Sequence, residues 1–155
     1  MKLSSKAENI LSQINAQTKL GDLRKIAKEI KRDHELAMEL WSCGKFLPRQ
    51  LAILIMDSKK LSEPVIDTLV NDMQQHPYAE RIQLIDWLMA NQLAKDKKTI
   101  ALMEAWEQDP SPLKRRIFWY YQGRLRWMGQ TPPPNTESLL TAIEKDIEKE
   151  TPEVQ

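Results

Sequence analysis

Apolar residues recur along this chain at the three- and four-residue intervals of an α-helix, while the alternating runs that a half-buried strand needs are scarce. The periodic stretches predict nine helices, at about 4–17, 21–31, 34–43, 48–57, 62–75, 78–94, 97–108, 112–128 and 136–149. Chemical stops and starts separate them. Asp33 is placed to N-cap the helix that follows it, and Gly44 to close that helix at its other end. Ser62 can cap the next long helix, with Pro64 tolerated in its first turn. His76-Pro77 breaks the chain, because a residue before proline is pushed out of the helical region. The "TPPPNTE" segment (131–137) reads as a stiff spacer, after which Asn135 or Thr136 can cap the last helix.

Most connections are short, which turns neighbouring helices antiparallel. A faint internal echo suggests that the pairs repeat. In "ELAMELWSCGKFLPRQLAILI" (35–55) and "IALMEAWEQDPSPLKRRIFWYY" (100–121), a helix ends near a Trp, a Pro-containing turn follows, and then a basic residue and a second apolar helix. Trp41 corresponds to Trp106, and Arg49 to the Lys114–Arg116 cluster. Repeated helix pairs predict an all-α fold, an α-solenoid whose units bury their apolar faces by stacking on neighbours.

Composition adds bounds. The 155 residues fit one domain, and 41% hydrophobic with 29% charged is ordinary for a globular chain. A net charge of +1 does not advertise a polyanion partner, so any such case rests on local clustering. The single cysteine, Cys43, excludes an internal disulfide and suits a reducing, cytoplasmic setting. No apolar run has the length of a signal peptide or a membrane span.

Three constellations stand out. "SPLKRRIFWYYQGRLRW" (111–127) holds five cations and five aromatics and no acid. Wound as a helix, Ile117, Phe118, Tyr121, Leu125 and Met128 form the core face. Arg115, Trp119, Gln122 and Arg126 line the opposite side, with Arg116, Tyr120, Gly123 and Trp127 as a ridge beside them. Arginine forks suit phosphates and aromatic rings suit sugars or bases. Equally, such a face could pack on another helix with its arginines stacked on rings.

In "RIQLIDWLMANQL" (81–93), Asp86 falls at the edge of the apolar stripe, where a carboxylate needs a partner. It could pair with a neighbouring helix's arginine, or stabilise a developing positive charge. Trp87 points off the stripe, as a packing or a contact residue. "KLGDLRKIAKEIKRDHE" (19–35) is most simply a solvated charged face, with a phosphate-contacting edge as the other reading. His34 and His76 have no second ligand at metal spacing, and no phosphate loop or nucleophile motif is present.

The blocks "KLGDLRKIAKEIKRDHELAMELW", "PRQLAILIMD", "DWLMANQL" and "DPSPLKRRIFW", in this order and followed by "TPEVQ", resemble the DNA alkylation repair family of HEAT-like-repeat glycosylases over nearly the whole chain. The resemblance implies an all-α superhelix of antiparallel HEAT-like repeats over residues 1–155, with a basic groove for duplex DNA and further family helices beyond Gln155. It implies hydrolysis of the N-glycosidic bond of N3- or N7-alkylated purines, with no metal or cofactor. Asp86 matches the catalytic carboxylate, and Arg116 a DNA-contacting arginine in the motif that also holds Trp119. Lys114, Arg115, Arg126 and Trp87 complete the expected DNA contacts. Ile82 and Gln83 stand where the family carries a tryptophan ahead of the catalytic Asp, and Leu113 where a tryptophan opens the Arg-bearing helix. The Ile82 and Gln83 departures favour a DNA binder that does not excise. A helical scaffold for a protein partner is a third reading, since Arg, Trp and Tyr also dominate protein interfaces.

Overall fold

The computed structural model describes residues 2–127 and 133–155. Among them it contains nine α-helices joined by turns and short 3-10 segments, with no strand. The helices are α1 (Ser5–Ser12), α2 (Leu20–Ile30), α3 (His34–Ser42), α4 (Phe46–Ile55), α5 (Glu63–Met73), α6 (Tyr78–Asn91), α7 (Lys97–Glu104), α8 (Pro112–Trp127) and α9 (Thr136–Asp146). None of the described helices is long and apolar enough to cross a membrane. Packing divides the chain into two compact units, Met1–Ile100 and Ala101–Gln155.

The ends of the helices follow from local chemistry. Asp33 caps α3 as expected, its Oδ1 accepting from the Leu36 amide at 3.1 Å. Gly44, at φ +76°, turns the chain out of α3 in the left-handed conformation that glycine adopts freely. The first helix is shorter than its periodicity predicts. Asn15 and Thr18 close a turn of their own, with Asn15 Oδ1 accepting from Gln17 N at 2.8 Å and Thr18 Oγ1 from Asn15 N at 3.0 Å. Ser62 and Asn135 occupy N-cap positions but make no side-chain cap bond. The Asn135 oxygen is used elsewhere, by Arg126 at 3.1 Å.

In the first unit α4 is the central helix, packing on α2, α3 and α6. Its residues Pro48–Ile53 and Ile55 are all buried, so nearly every face of α4 is covered. α1 packs on α3, and α5 on α6. The core is aliphatic, with Leu23, Leu40, Leu51, Ile66, Leu84 and Leu88 essentially inaccessible. Each such side chain contributes roughly 1.5–3 kcal/mol by leaving water.

In the second unit the buried face of α8 is Leu113, Ile117, Phe118 and Tyr121, joined by Met103, Trp106 and Leu139. Ile117, Phe118 and Tyr121 are core positions that the periodicity predicts; Leu125 is half-buried, and Met128 lies outside the described residues. Burial, with Glu104 nearby, pushes the Tyr121 phenol above its usual pKa.

The internal echo has a physical counterpart. Arg49 sits over the Trp41 ring, 4.7 Å from its centre, and Lys114 sits over the Trp106 ring at 4.9 Å. Both cations are buried, at 8% and 5% exposure. Arg49 also donates through Nε to the Trp41 carbonyl at 3.0 Å and through Nη1 to His76 Nε2 at 3.0 Å. Since the guanidinium can only donate, His76 Nε2 accepts, and its Nδ1–H faces Glu80 Oε1 at 2.8 Å. The Trp41 indole donates to Asp72 at 2.8 Å, which completes a buried polar chain linking α3, α4, α5 and α6. Burial lowers the Arg49 pKa from its ordinary value, and the Asp72 charge opposes that shift.

Candidate nucleic-acid interface

The first unit carries a groove of about 940 Å³ where α2, α4 and α6 end. From α2 come Arg24, Lys25 and Lys28, and from the turn after it Lys31 and Arg32. Lys59 and Lys95 enter from the 3-10 segments that follow α4 and α6. All seven side chains are exposed, and Asp96 is the single acid in the lining. Arg32 lies 4.0 Å from the Asp57 carboxylate outside the lining, a distance at the limit of an ion pair.

Cations near helix carboxyl ends are locally favourable, because each end carries roughly half a negative charge. Three such ends cannot neutralise seven formal charges, so the groove is strongly positive. Leu54 and Met56 form an apolar floor, and Asn91 and Gln92 supply polar groups along one side. A wide, exposed, cationic trough of this kind suits a chain of phosphates rather than a small, enclosed ligand.

Asp86 lies half-buried on α6 in the same unit, one residue before Trp87. Trp87 is fixed from three directions. Its indole donates to the Gln50 carbonyl of α4 at 3.1 Å, its own carbonyl accepts from Asn91 Nδ2 at 2.9 Å, and Arg24 of the groove lies 4.8 Å from its ring centre. The segment bearing Asp86 is thereby anchored to two residues of the groove lining. Ile82 is half-buried and Gln83 exposed, one helical turn before Asp86.

The second unit treats its cations differently. Arg115 forms a fork with Glu150, Nε to Oε1 at 2.9 Å and Nη2 to Oε2 at 3.0 Å, and a further bond to the Asp109 carbonyl at 2.8 Å. Arg126 ties the connection before α9, donating to the Gln122 carbonyl at 2.8 Å and to Thr136 Oγ1 at 2.8 Å. Lys114 lies beneath the surface between Trp106 and Asp109, 3.8 Å from the latter's carboxylate. Trp119 rests edge-on against Phe118 and lines a small cavity with Ala142, Ile143 and Ile147. The face carrying Arg115, Trp119 and Arg126 is therefore engaged by α9 and the residues around it.

The neighbouring ridge is more open. Arg116 lies 5.9 Å from the Tyr120 ring centre and donates to the Glu153 carbonyl at 2.9 Å. Tyr120 meets Trp127 edge to face, and Trp127 lies across Gly123 at 74% exposure. Among the described residues no group of three or more His, Cys, Asp or Glu side chains is placed to hold a metal ion.

Lys59 and Lys95 are the residues that sequence reasoning misses. A signal was present: Lys31-Arg32, Lys59-Lys60 and Lys95 each come within five residues of the end of an alternate helix, α2, α4 and α6.

Residues 17–155 match the family described as DNA alkylation repair enzyme. The chain belongs to that family, which assigns it a role in DNA repair with DNA as its partner. No curated protein and no solved structure matches it.

Proposed function

We propose that this protein is a DNA glycosylase that grips duplex DNA in the α2–α4–α6 groove and hydrolyses the N-glycosidic bond of purines alkylated at N3 or N7. The carrying observation is the groove of seven exposed cations in one unit of a DNA alkylation repair family member, whose Arg24 covers the ring of Trp87, the residue next to half-buried Asp86. An alkylated purine is already cationic, so it departs as a neutral base when its bond to C1′ breaks with both electrons. Positive charge then develops on the sugar. Asp86 stabilises that charge and orients the water that adds to C1′, with one proton released to solvent. Arg24, Lys25 and Lys28 hold phosphates, and Trp87 packs beside the sugar.

The repeated cation-over-tryptophan pairs support an architecture of stacked HEAT-like helical pairs. Ile82 supports a second reading, in which the groove binds DNA without excision, because an aliphatic side chain offers no ring to stack against a lesion.

Release of 7-methylguanine and 3-methyladenine from alkylated duplex DNA tests both. An Asp86→Asn variant is expected to retain binding and lose roughly 10²–10³-fold in release rate. Equal release by wild type and variant removes Asp86 from the mechanism. Binding without release by wild type leaves the non-excising reading.

A further inference from the structure

Among the described residues Lys31 is the one non-glycine residue at positive φ, with φ 68° and ψ −127°. A residue with a Cβ adopts that conformation at a cost, and glycine adopts it freely. The chain uses glycine where it needs a positive φ after the next helix, at Gly44. After α2 it places a lysine there instead.

The surroundings explain how the conformation persists. Lys31 N donates to the Ala27 carbonyl at 2.7 Å, closing the last turn of α2. Two residues on, Asp33 N donates to the Ile55 carbonyl at 2.9 Å, and the Asp33 side chain caps α3 while holding Lys6 at 2.8 Å. The turn is thus fixed on both sides of Lys31. Nothing in that fixing calls for a lysine, since glycine would satisfy the same backbone with less strain. What lysine adds is its ammonium, and Lys31 is exposed in the lining of the cationic groove beside Lys28 and Arg32.

We infer that Lys31 is a phosphate-contacting residue, kept at a strained backbone position because that position delivers its charge into the groove. The inference rests on the DNA-binding reading above and extends it. It predicts that binding and stability are opposed at this residue.

The test compares wild type with Lys31→Gly, Lys31→Gln and an off-groove control, Lys149→Gln. Affinity for an undamaged short duplex is measured across a salt series, and each protein is melted without DNA. Lys31→Gly is expected to melt above wild type, to bind roughly three- to tenfold more weakly, and to flatten the slope of log K against log salt by about 0.9. Lys31→Gln should bind as weakly as Lys31→Gly without its gain in melting temperature, and Lys149→Gln should match wild type. Wild-type affinity and slope in Lys31→Gly would overturn the phosphate contact, and a melting point no higher than wild type would overturn the strain. If wild type itself shows no salt-dependent binding, the DNA reading falls and takes the contact with it. That result is distinct from loss in the variant alone.

Discussion

Gln50 lies fully buried in the middle of α4, and among the described residues neither its Oε1 nor its Nε2 meets a hydrogen-bond partner. Leaving one buried polar group unpaired costs about 1–3 kcal/mol, and this amide leaves two. Methionine has nearly the same length and volume and carries neither group, so Gln50→Met keeps the packing and removes the penalty. The Trp87 indole bonds the backbone carbonyl of Gln50, which the substitution leaves in place. Two such groups sum to about 2–6 kcal/mol, and at roughly 2–4 °C per kcal/mol for a chain of this size the melting temperature should rise by about 4–24 °C. Gln92 is the internal control. It is similarly buried, but its Nε2 donates to the Ile53 carbonyl at 2.6 Å and to the Met56 carbonyl at 3.1 Å. Gln92→Met should therefore lower the melting temperature where Gln50→Met raises it. Urea titration at constant m-value separates a true stability change from a change in the unfolded state. A fall for both variants, or no change for Gln50→Met, would refute the reasoning.

Two further outcomes follow from the buried polar chain and from the start of α3. Arg49→Leu removes the guanidinium that serves the Trp41 carbonyl and His76 Nε2, and should cost about 2–4 kcal/mol in denaturant unfolding; a loss below 1 kcal/mol would show those groups finding other partners. The His34 imidazole is held below its ordinary pKa of 6.5, first by burial and then by Lys60, with Asp57 opposing. Its Nδ1 accepts from the Asp57 amide at 3.2 Å, a bond that protonation of that nitrogen abolishes. Because the folded-state value is depressed, the unfolded chain takes up the proton first. The contribution of His34 is whole above 6.5 and is lost as pH falls below it. Wild type should thus lose stability faster than His34→Gln between pH 7 and 5, and parallel curves would remove His34 from the pH response.

The helices were legible because their signals are local. Asp33 and Gly44 act within one turn of themselves, and nearly every predicted boundary falls within a few residues of the observed one. The exceptions are also local, since Asn15 and Thr18 compete with the end of α1 through short-range bonds that apolar spacing does not register. The fate of the α8 cations was not legible. Arg115 reads as unpaired because its carboxylate, Glu150, lies 35 residues away. The groove was legible only along its α2 edge, as Lys59 and Lys95 arrive from separate stretches and join it only where α4 and α6 end. Trp41 and Arg49 show the middle case. Their spacing of eight residues recurs at Trp106 and Lys114, and only the structure shows both cations above their rings.

Those two cation-over-ring locks have an evolutionary consequence. Each lock joins the end of one helix to the start of the next, so it travels with the pair when the corresponding stretch of gene is copied. A duplicated pair arrives with its internal angle already set, and selection is left to adjust only the surfaces it shows to its new neighbours. Arginine holds the place in one pair and lysine in the other, at 4.7 and 4.9 Å from their rings, so either cation serves such a lock. Lengthening the protein by whole pairs is then a smaller step than reshaping any single helix within it.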